Sequence, residues 1–271
     1  MKITVAMTCY NSKKFIWQAI MSIVRQSYSN WEIVIVDDHS KDNTLKVVSE
    51  CIQAYNIKKK VKILKHDKNY GYGKSLRDSI AGGDGELVAI VDSDDALASD
   101  NALKIMVKAH QENPGASLCY STYYGSVNDL TKRKVRTIRP IPKGETYLSC
   151  LMKRNKRARV SHLKVFKRQL YNKTEGVNPT LVRSVDRDLV LKLEEVGELK
   201  FIPKPLYIRR KHPKGLTSIF YKQSTAYRRK VRKDKIQFIK DALKRRGLSD
   251  SSSTYLQFLV ARKKKLKLSR G

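Results

Sequence analysis

Along the first half of the chain, hydrophobic positions come in short, largely apolar runs separated by longer segments in which they recur every three or four residues. The runs are Ile3–Met7, Trp31–Val36, Val61–Lys65, Leu87–Val91 and Ser117–Tyr123, and each reads as a strand. Leu87–Val91 holds five apolar residues, three of them β-branched, the pattern of a strand buried on both faces of a parallel sheet. Between the runs, Phe15, Ile16, Ala19, Ile20, Ile23 and Val24 form one helical stripe, predicting a helix from about Lys13 to Gln26. Asn43 or Thr44 opens a second helix that runs to Tyr55, a third begins near Lys74, and a fourth covers Ala102 to Glu112 and stops at Asn113-Pro114-Gly115. Strands alternating with helices predict a parallel sheet with helices on both faces.

After residue 123 the pattern loosens. Thr131–Arg139 is basic and β-branched, a strand or ordered loop, and Lys143-Gly144-Glu145 is a turn. Helical spacing returns over Val185–Val196, where Leu189, Val190, Leu193 and Val196 share a side and Asp186 and Asp188 suit the first turn. Phe201–Ile208 contains Pro203 and Pro205 and reads as a short edge strand. Ser224–Arg246 is a basic helix closed by Gly247, followed by a polar linker, Ser249–Thr254. The last segment joins a small apolar patch, Leu256, Phe258, Leu259 and Val260, to Arg262-Lys263-Lys264-Lys265.

Two of the strands end in acid. Trp31–Val36 leads into Asp37-Asp38-His39-Ser40, and Leu87–Val91 into Asp92-Ser93-Asp94-Asp95. In an open α/β sheet the C-terminal strand ends face the ligand crevice, so these carboxylates are expected where a ligand binds. A helix cap before Asp100 accounts for one aspartate there, but not for three within four residues. Hard oxygen donors of this kind suit Mg2+ or Mn2+. The glycine loop Asn69-Tyr70-Gly71-Tyr72-Gly73 is less specific. Gly73-Lys74-Ser75 resembles the end of a phosphate-binding P-loop, but Lys68 stands where that motif needs its first glycine.

Charge changes the picture. The net charge of +32 is unevenly spread: residues 1–120 carry 16 Lys and Arg against 14 Asp and Glu, residues 121–271 carry 41 against 11. An anionic partner is therefore expected at the second half. Nucleic acid is disfavoured there, because no aromatic platform is interleaved with the cations and no helix-turn-helix or zinc module is visible. The four cysteines, Cys9, Cys51, Cys119 and Cys150, have no paired spacing, which predicts reduced thiols and a cytoplasmic protein. No apolar run approaches the roughly 18 residues of a membrane span.

Taken in order, Thr8-Cys9-Tyr10-Asn11, Val36-Asp37-Asp38-His39-Ser40, Asn69-Tyr70-Gly71, Val91-Asp92-Ser93-Asp94-Asp95 and Val185-Asp186-Arg187-Asp188-Leu189 resemble a family 2 glycosyltransferase of GT-A fold. The resemblance covers roughly residues 1–215 and implies a Rossmann-like, mostly parallel sheet flanked by helices, with a basic helical C-terminal extension. It divides the chain into a nucleotide-sugar-binding half, 1–120, an acceptor-binding half, 121–222, and the extension, 223–271. By the same resemblance Asp37 and Asp38 recognise the nucleotide base, usually uracil, with Thr8, Tyr10 and Asn11 closing the pocket. Asn69, Gly71 and Arg77 belong to the nucleotide-binding side.

The resemblance further implies a D-x-D in Asp92-Ser93-Asp94, with Asp92 near the ribose, Asp94 as direct metal ligand and Asp95 in support. His212 stands where some relatives offer a third ligand; it reads equally well as a solvated surface histidine. Asp186 matches the family's base, although Val185 replaces the acidic residue usual before it, leaving Asp188 as the alternative. The reaction implied is metal-dependent, inverting transfer of a sugar, UDP-linked by expectation, to a hydroxyl of a glycan or lipid-linked acceptor. Trp17 and Trp31 are the only tryptophans, so the Q-x-x-R-W of processive synthases is missing, which predicts a non-processive enzyme of polysaccharide biosynthesis. The basic half then serves an acidic acceptor, peripheral contact with the inner face of an anionic membrane, or plain solvation. The rival reading is a non-catalytic polyanion- or nucleic-acid-binding protein on the same scaffold.

Overall fold

A computed structural model describes residues 1–127, 130, 133–136, 138, 140–152, 160–181, 183–213, 215 and 223–249. The strands in chain order are β1 (Ile3–Cys9), β2 (Trp31–Asp37), β3 (Val61–Lys65), β4 (Leu87–Ile90), β5 (Ala96–Leu97), β6 (Ala116–Val127), β7 (Arg133–Arg136), β8 (Lys164–Lys167) and β9 (Glu198–Lys211). The α-helices are α1 (Ile16–Val24), α2 (Thr44–Ala54), α3 (Tyr72–Ala81), α4 (Ala102–Glu112), α5 (Tyr147–Met152), α6 (Arg168–Tyr171), α7 (Val185–Glu194) and α8 (Thr225–Arg245). The apolar patch at Leu256–Val260, the Lys263 run and the Ser249–Thr254 linker beyond its first residue lie outside the described residues, as does part of Thr131–Arg139.

Side chains alternate along the central strands and so supply two cores at once. Ile3, Val5 and Met7 of β1, Ile33 and Ile35 of β2, and Leu87 and Ala89 of β4 pack with the buried stripes of α1, α2 and α4. Ala6, Val88 and Ile90 face the opposite side, where Leu76 and Ile80 of α3, Leu189 and Val190 of α7, and Phe238 and Ile239 of α8 cover them. The result is a three-layer α/β/α arrangement. α1 starts at Ile16 rather than near Lys13, because the Ser12 carbonyl accepts from both the Phe15 and Ile16 amides and holds a turn ahead of the helix.

The expected parallel sheet holds for β3-β2-β1-β4. Beyond β4 the sheet turns mixed: β8 is antiparallel to β4, β6 antiparallel to β8, β9 parallel to β6, and β5 antiparallel to β9. The short edge strand expected at Phe201–Ile208 is instead the middle of the 14-residue β9, which lies between β6 and β5. Its prolines are accommodated by irregular pairing, since Ser121 pairs with Ile202 but Thr122 with Pro205. β5 reaches only Tyr207 and Ile208, leaving the proline-bearing stretch without a ladder on that side.

The basic C-terminal helix is observed, capped by the Ser224 hydroxyl, which accepts from the Tyr227 amide, and followed by Gly247 at φ +65°. Val231, Phe238, Ile239, Ala242 and Leu243 are buried, so this segment packs into the second core beside α7.

One close approach sets the distance between β1 and the turn before β4. A Cβ on Gly85 would lie 2.4 Å from the Thr4 amide nitrogen and 2.8 Å from the Ile3 carbonyl carbon. Gly85→Ala is therefore expected to lower stability by about 1–3 kcal/mol, read as a fall in the urea midpoint at unchanged slope.

Candidate functional site

The crevice expected of an open α/β sheet falls at the C-terminal ends of β1, β2 and β4, which parallel pairing sets side by side. Val91 donates its amide to the Ala6 carbonyl, and from there the chain turns sharply, Asp95 donating back to the Asp92 carbonyl at 3.1 Å. The turn brings Asp92, Asp94 and Asp95 together, each offering an oxygen within 4.8 Å of the others.

Burial makes this costly, and β9 supplies the compensation. The Tyr207 hydroxyl accepts from the Asp92 amide at 3.0 Å, and the Arg210 amide donates to Asp95 Oδ1 at 2.7 Å. Arg210 Nε donates to the Asp94 carbonyl at 2.7 Å, while its guanidinium lies 4.5 Å over the Phe15 ring and reaches Gln18 at 2.6 Å. His212 Nε2 stands 2.9 Å from Asp94 Oδ2, its ring 4.5 Å from Phe15. His212, for which a solvated position was an equal expectation, is thus tucked against the acid cluster. Burial and then the neighbouring Asp94 push Asp92 up to about 6. Asp95 is also raised, by burial and then by Asp94 and Asp92.

That mutual repulsion is what a hard divalent cation relieves. The donor set of Asp92, Asp94 and Asp95 oxygens with a histidine nitrogen alongside suits Mn2+ or Mg2+.

The second acidic strand end behaves differently. Asp37 is fully buried and accepts from the Ser40 amide and hydroxyl, with Cys9 Sγ at 3.6 Å. Asp38 accepts from the Tyr70 and Gly71 amides and faces His66 Nδ1, each at 2.8 Å. His66 Nε2 lies 2.9 Å from Asp78, which pairs with Lys74. Both carboxylates therefore brace the loops around the crevice. Asn11, at φ 52°, accepts from the Lys41 and Asp42 amides and donates its own amide to Ser40. Thr8 lies near the end of β1 beside it, and Tyr10 is half exposed at the rim. Ser93 is buried, its hydroxyl 2.9 Å from that of Ser12. Gly71, at φ +90°, starts α3, while Asn69 and Arg77 are exposed.

On the far side, β8 pairs Lys164 with Ile90, which places a buried lysine at the end of β4. Its Nζ lies 3.3 Å from Asp186 Oδ2 in the first turn of α7. Burial alone would raise Asp186, but Lys164, then His162 and Arg187, outweigh it and hold the carboxyl low. His162, stacked on Tyr207 at 4.8 Å, is held well below its ordinary value by burial and by Lys164. Asp188 is buried and paired with Lys192 at 2.9 Å. Two positions along a helix are about 200° apart, so Asp186 and Asp188 leave it on opposite sides.

Sequence reasoning missed Tyr72, Tyr207, His66, Lys164, His162 and Arg210. Tyr72, which lies within the glycine loop between Gly71 and Gly73, donates its hydroxyl to Asp92 at 3.2 Å. Lys164 carries a legible signal, a single lysine between Leu163 and Val165-Phe166, but the many cations on either side mask it as one member of a charge run.

Comparison with known proteins adds to this geometry. The sequence profile described as Glycosyl transferase family 2 matches residues 4–174. The chain is 28% identical over 215 residues to a chondroitin synthase of Escherichia coli, covering 78% of this chain and 29% of that protein. It thus spans less than a third of that relative's length. Among solved structures, S. aureus TarS 1–349 in complex with UDP superposes with a TM-score of 0.66 at 21% identity, over 90% of this chain and 65% of that one. The mannosyltransferase PcManGT from Pyrobaculum calidifontis, in complex with GDP-Man and Mn2+, gives 0.64 at 17%, over 90% and 64%. These two likenesses are of fold.

The bracing role of Asp38 has a direct test. Asp38→Asn turns one accepting oxygen into a donor facing an amide, which is expected to cost about 2 kcal/mol and to speed hydrogen exchange at Tyr70 and Gly71 selectively.

Proposed function

The chain belongs to glycosyl transferase family 2, and from that membership we propose that it moves a sugar from a nucleotide-sugar donor, UDP-linked by preference, to a hydroxyl of a glycan or lipid-linked acceptor, with inversion and without processivity. The observation that carries the reading is the place of Asp186 beside the end of β4: Lys164, paired opposite Ile90, meets its carboxylate at 3.3 Å, just past the strand end that carries Asp92, Asp94 and Asp95. The solved structures of like fold bind UDP in one case and GDP-Man with Mn2+ in the other.

The donor is bound on the β1–β2–β4 side. The loops braced by Asp37, Asp38 and Asn11 form the base pocket with Thr8 and Tyr10, and Asn69, Gly71, Arg77 and Ser93 belong to the same subsite. Asp92, braced by Tyr72, faces the ribose. Asp94, with Asp95 and His212, would hold Mn2+ or Mg2+, which when bound supplies positive charge to the departing diphosphate.

Asp186, rather than Asp188, takes the proton of the attacking hydroxyl, because Asp188 is engaged with Lys192 within the core. Lys164 keeps Asp186 ionised and therefore able to accept, and the half-buried position of its carboxylate orients it without closing it off. Attack from the face opposite the leaving group makes the transfer a single displacement. The polyanion-binding alternative gives no reason for this many carboxylates to be gathered and braced at one strand end.

No helix among the described residues is long and apolar enough to cross a membrane. Peripheral contact with the inner face of an anionic membrane, through the basic segment 223–271, belongs to the same proposal. The full chain is expected to sediment with anionic vesicles and not with zwitterionic ones; sedimentation with neither removes this part.

The catalytic assignment is tested on the same protein. Asp186→Asn is expected to lower transfer by about 100-fold or more while changing donor affinity less than about twofold; unchanged turnover removes Asp186 from the mechanism. Chelation by EDTA is expected to abolish transfer in the wild type, with Mn2+ restoring it.

A further inference from the structure

α8 lies beside α7 and runs in the same direction. At their C-terminal ends Arg245 pairs with Glu195 at 2.7 Å and Arg246 with Glu194 at 3.0 Å. Ten residues earlier on α8, Lys235 lies within the electrostatic reach of Asp186 and Arg187 at the start of α7. The first turns of α8 therefore continue past the start of α7, reaching about 15 Å beyond Lys235 at the rise of an α-helix.

The two ends of α8 have different surroundings. At the C-terminal end the cations meet Glu175, Glu194 and Glu195. Over Thr225–Lys235 the sequence places Arg228, Arg229, Lys230, Arg232, Lys233 and Lys235 against the single acid Asp234. Cations in the first turns of a helix also oppose its macrodipole.

Lys235 is the least expected of them. It follows Val231 by four residues and precedes Phe238 by three, so it occupies the stripe that α8 buries against the core. Burial, then Arg187 and Arg183, lower its ammonium to about 8, with Arg232 adding to the effect and Asp186 acting in the opposite sense. Folding has set a lysine in a stripe where an apolar side chain would pack, with Arg187, Arg183 and Arg232 adding like charge to its surroundings and Asp186 of α7 within electrostatic reach. An arrangement of this kind is stabilised when an anion joins it.

We propose that Lys235 and Arg232, with the exposed cations of the first turns of α8 and with Arg183 and Arg187 at the start of α7, form an anion subsite for the acceptor. The hydroxyl presented to Asp186 then belongs to a saccharide or polyol that carries an oxyanion, phosphate or carboxylate, close to the accepting position. This deepens the reading of Asp186 as the base and rests on that reading. The acid cluster on the donor side and the cation cluster on the acceptor side would share the crevice without competing, with Lys164 and Asp186 at their boundary.

The test is direct titration of the full chain, without donor, by isothermal calorimetry. Three probes are used: glycerol-phosphate oligomers, hexuronate oligosaccharides and neutral glucan oligosaccharides of equal length. At least one anionic series is expected to bind tenfold or more tightly than the neutral one, and which series does so identifies the oxyanion. Lys235→Met is expected to weaken that binding at least fivefold while holding or raising the Tm, since it removes a charge from an apolar stripe. Lys235→Arg restores binding. Arg228→Gln with Arg232→Gln weakens binding as well and avoids the packed position. Lys244→Gln, at the other end of α8, leaves affinity unchanged and separates a site from general attraction to net charge.

Equal affinity for anionic and neutral oligomers, or anion binding indifferent to Lys235 and Arg232 but lost with Lys244, overturns the proposal. So does a response of these variants to anionic vesicles alone. Donor binding and hydrolysis are measured separately with sugar nucleotides on the wild type. A failure of the glycosyltransfer reading therefore appears there, whatever the oligomer titrations return.

Discussion

The constraint on which the structure turns is the burial of several carboxylates at the end of one strand. Taking a carboxylate out of water costs several kcal/mol unless charge or hydrogen bonds replace the solvent. β4 delivers Asp92, Asp94 and Asp95 together, and much of the second half of the chain is arranged to make that tolerable. β9 runs the length of β6, pairs with the two-residue β5 just after the acid turn, and sets Tyr207, Arg210 and His212 against it. The long strand is thus an architectural brace and the wall of the site at once. What the brace leaves uncompensated, burial first and then mutual repulsion, holds Asp92 and Asp95 above the ordinary carboxylate range.

Backbone geometry obeys the same logic. Four non-glycine residues adopt positive φ among the described residues, and three of them, Asn11, His39 and Ser184, lie at the end of β1, after β2 and just ahead of α7. These are the points where the chain leaves a regular element to border the crevice. Side-chain bonds hold the first two loops in place, through Asn11 to the Lys41 and Asp42 amides and through Asp37 to Ser40. Strain concentrated around a crevice and braced from behind fits a site whose loops must keep their shape between turnovers.

Electrostatics divide the crevice. Acid gathers where the ends of β1, β2 and β4 meet, and cations gather where α7 and α8 begin, with the Lys164–Asp186 pair as the seam. Lys164 belongs to neither group by sequence. It arrives on β8, the strand that joins the parallel half of the sheet to the mixed half, and its place opposite Ile90 makes it the neighbour of both sides.

The one-dimensional pattern was sufficient for the parallel half. β1, β2 and β4 are built from largely apolar runs, β3 from a shorter mixed one and α1 to α4 from regular stripes, whose period decides strand or helix, and the acids at the ends of β2 and β4 lie where those strands stop. The order of five short motifs was enough for the family and for Asp92, Asp94 and Asp186 as candidates. Tertiary structure decided the rest, because those features depend on partners remote in sequence. The prolines near 204 argued for a short edge strand; their stretch is open on one side, but it belongs to a 14-residue strand held by an irregular ladder with β6 and reached by β5 only at Tyr207 and Ile208. The resemblance assigns Asp37 and Asp38 to base recognition; that they also hold Ser40, Tyr70, Gly71 and His66 by hydrogen bonds depends on loops that meet only in the folded chain. Asp186 and Asp188 look equivalent as letters, and the helix turns one toward Lys164 at the crevice and the other toward Lys192 in the core. A charge in a sequence has a sign but no neighbours, and the neighbours are what give it a role.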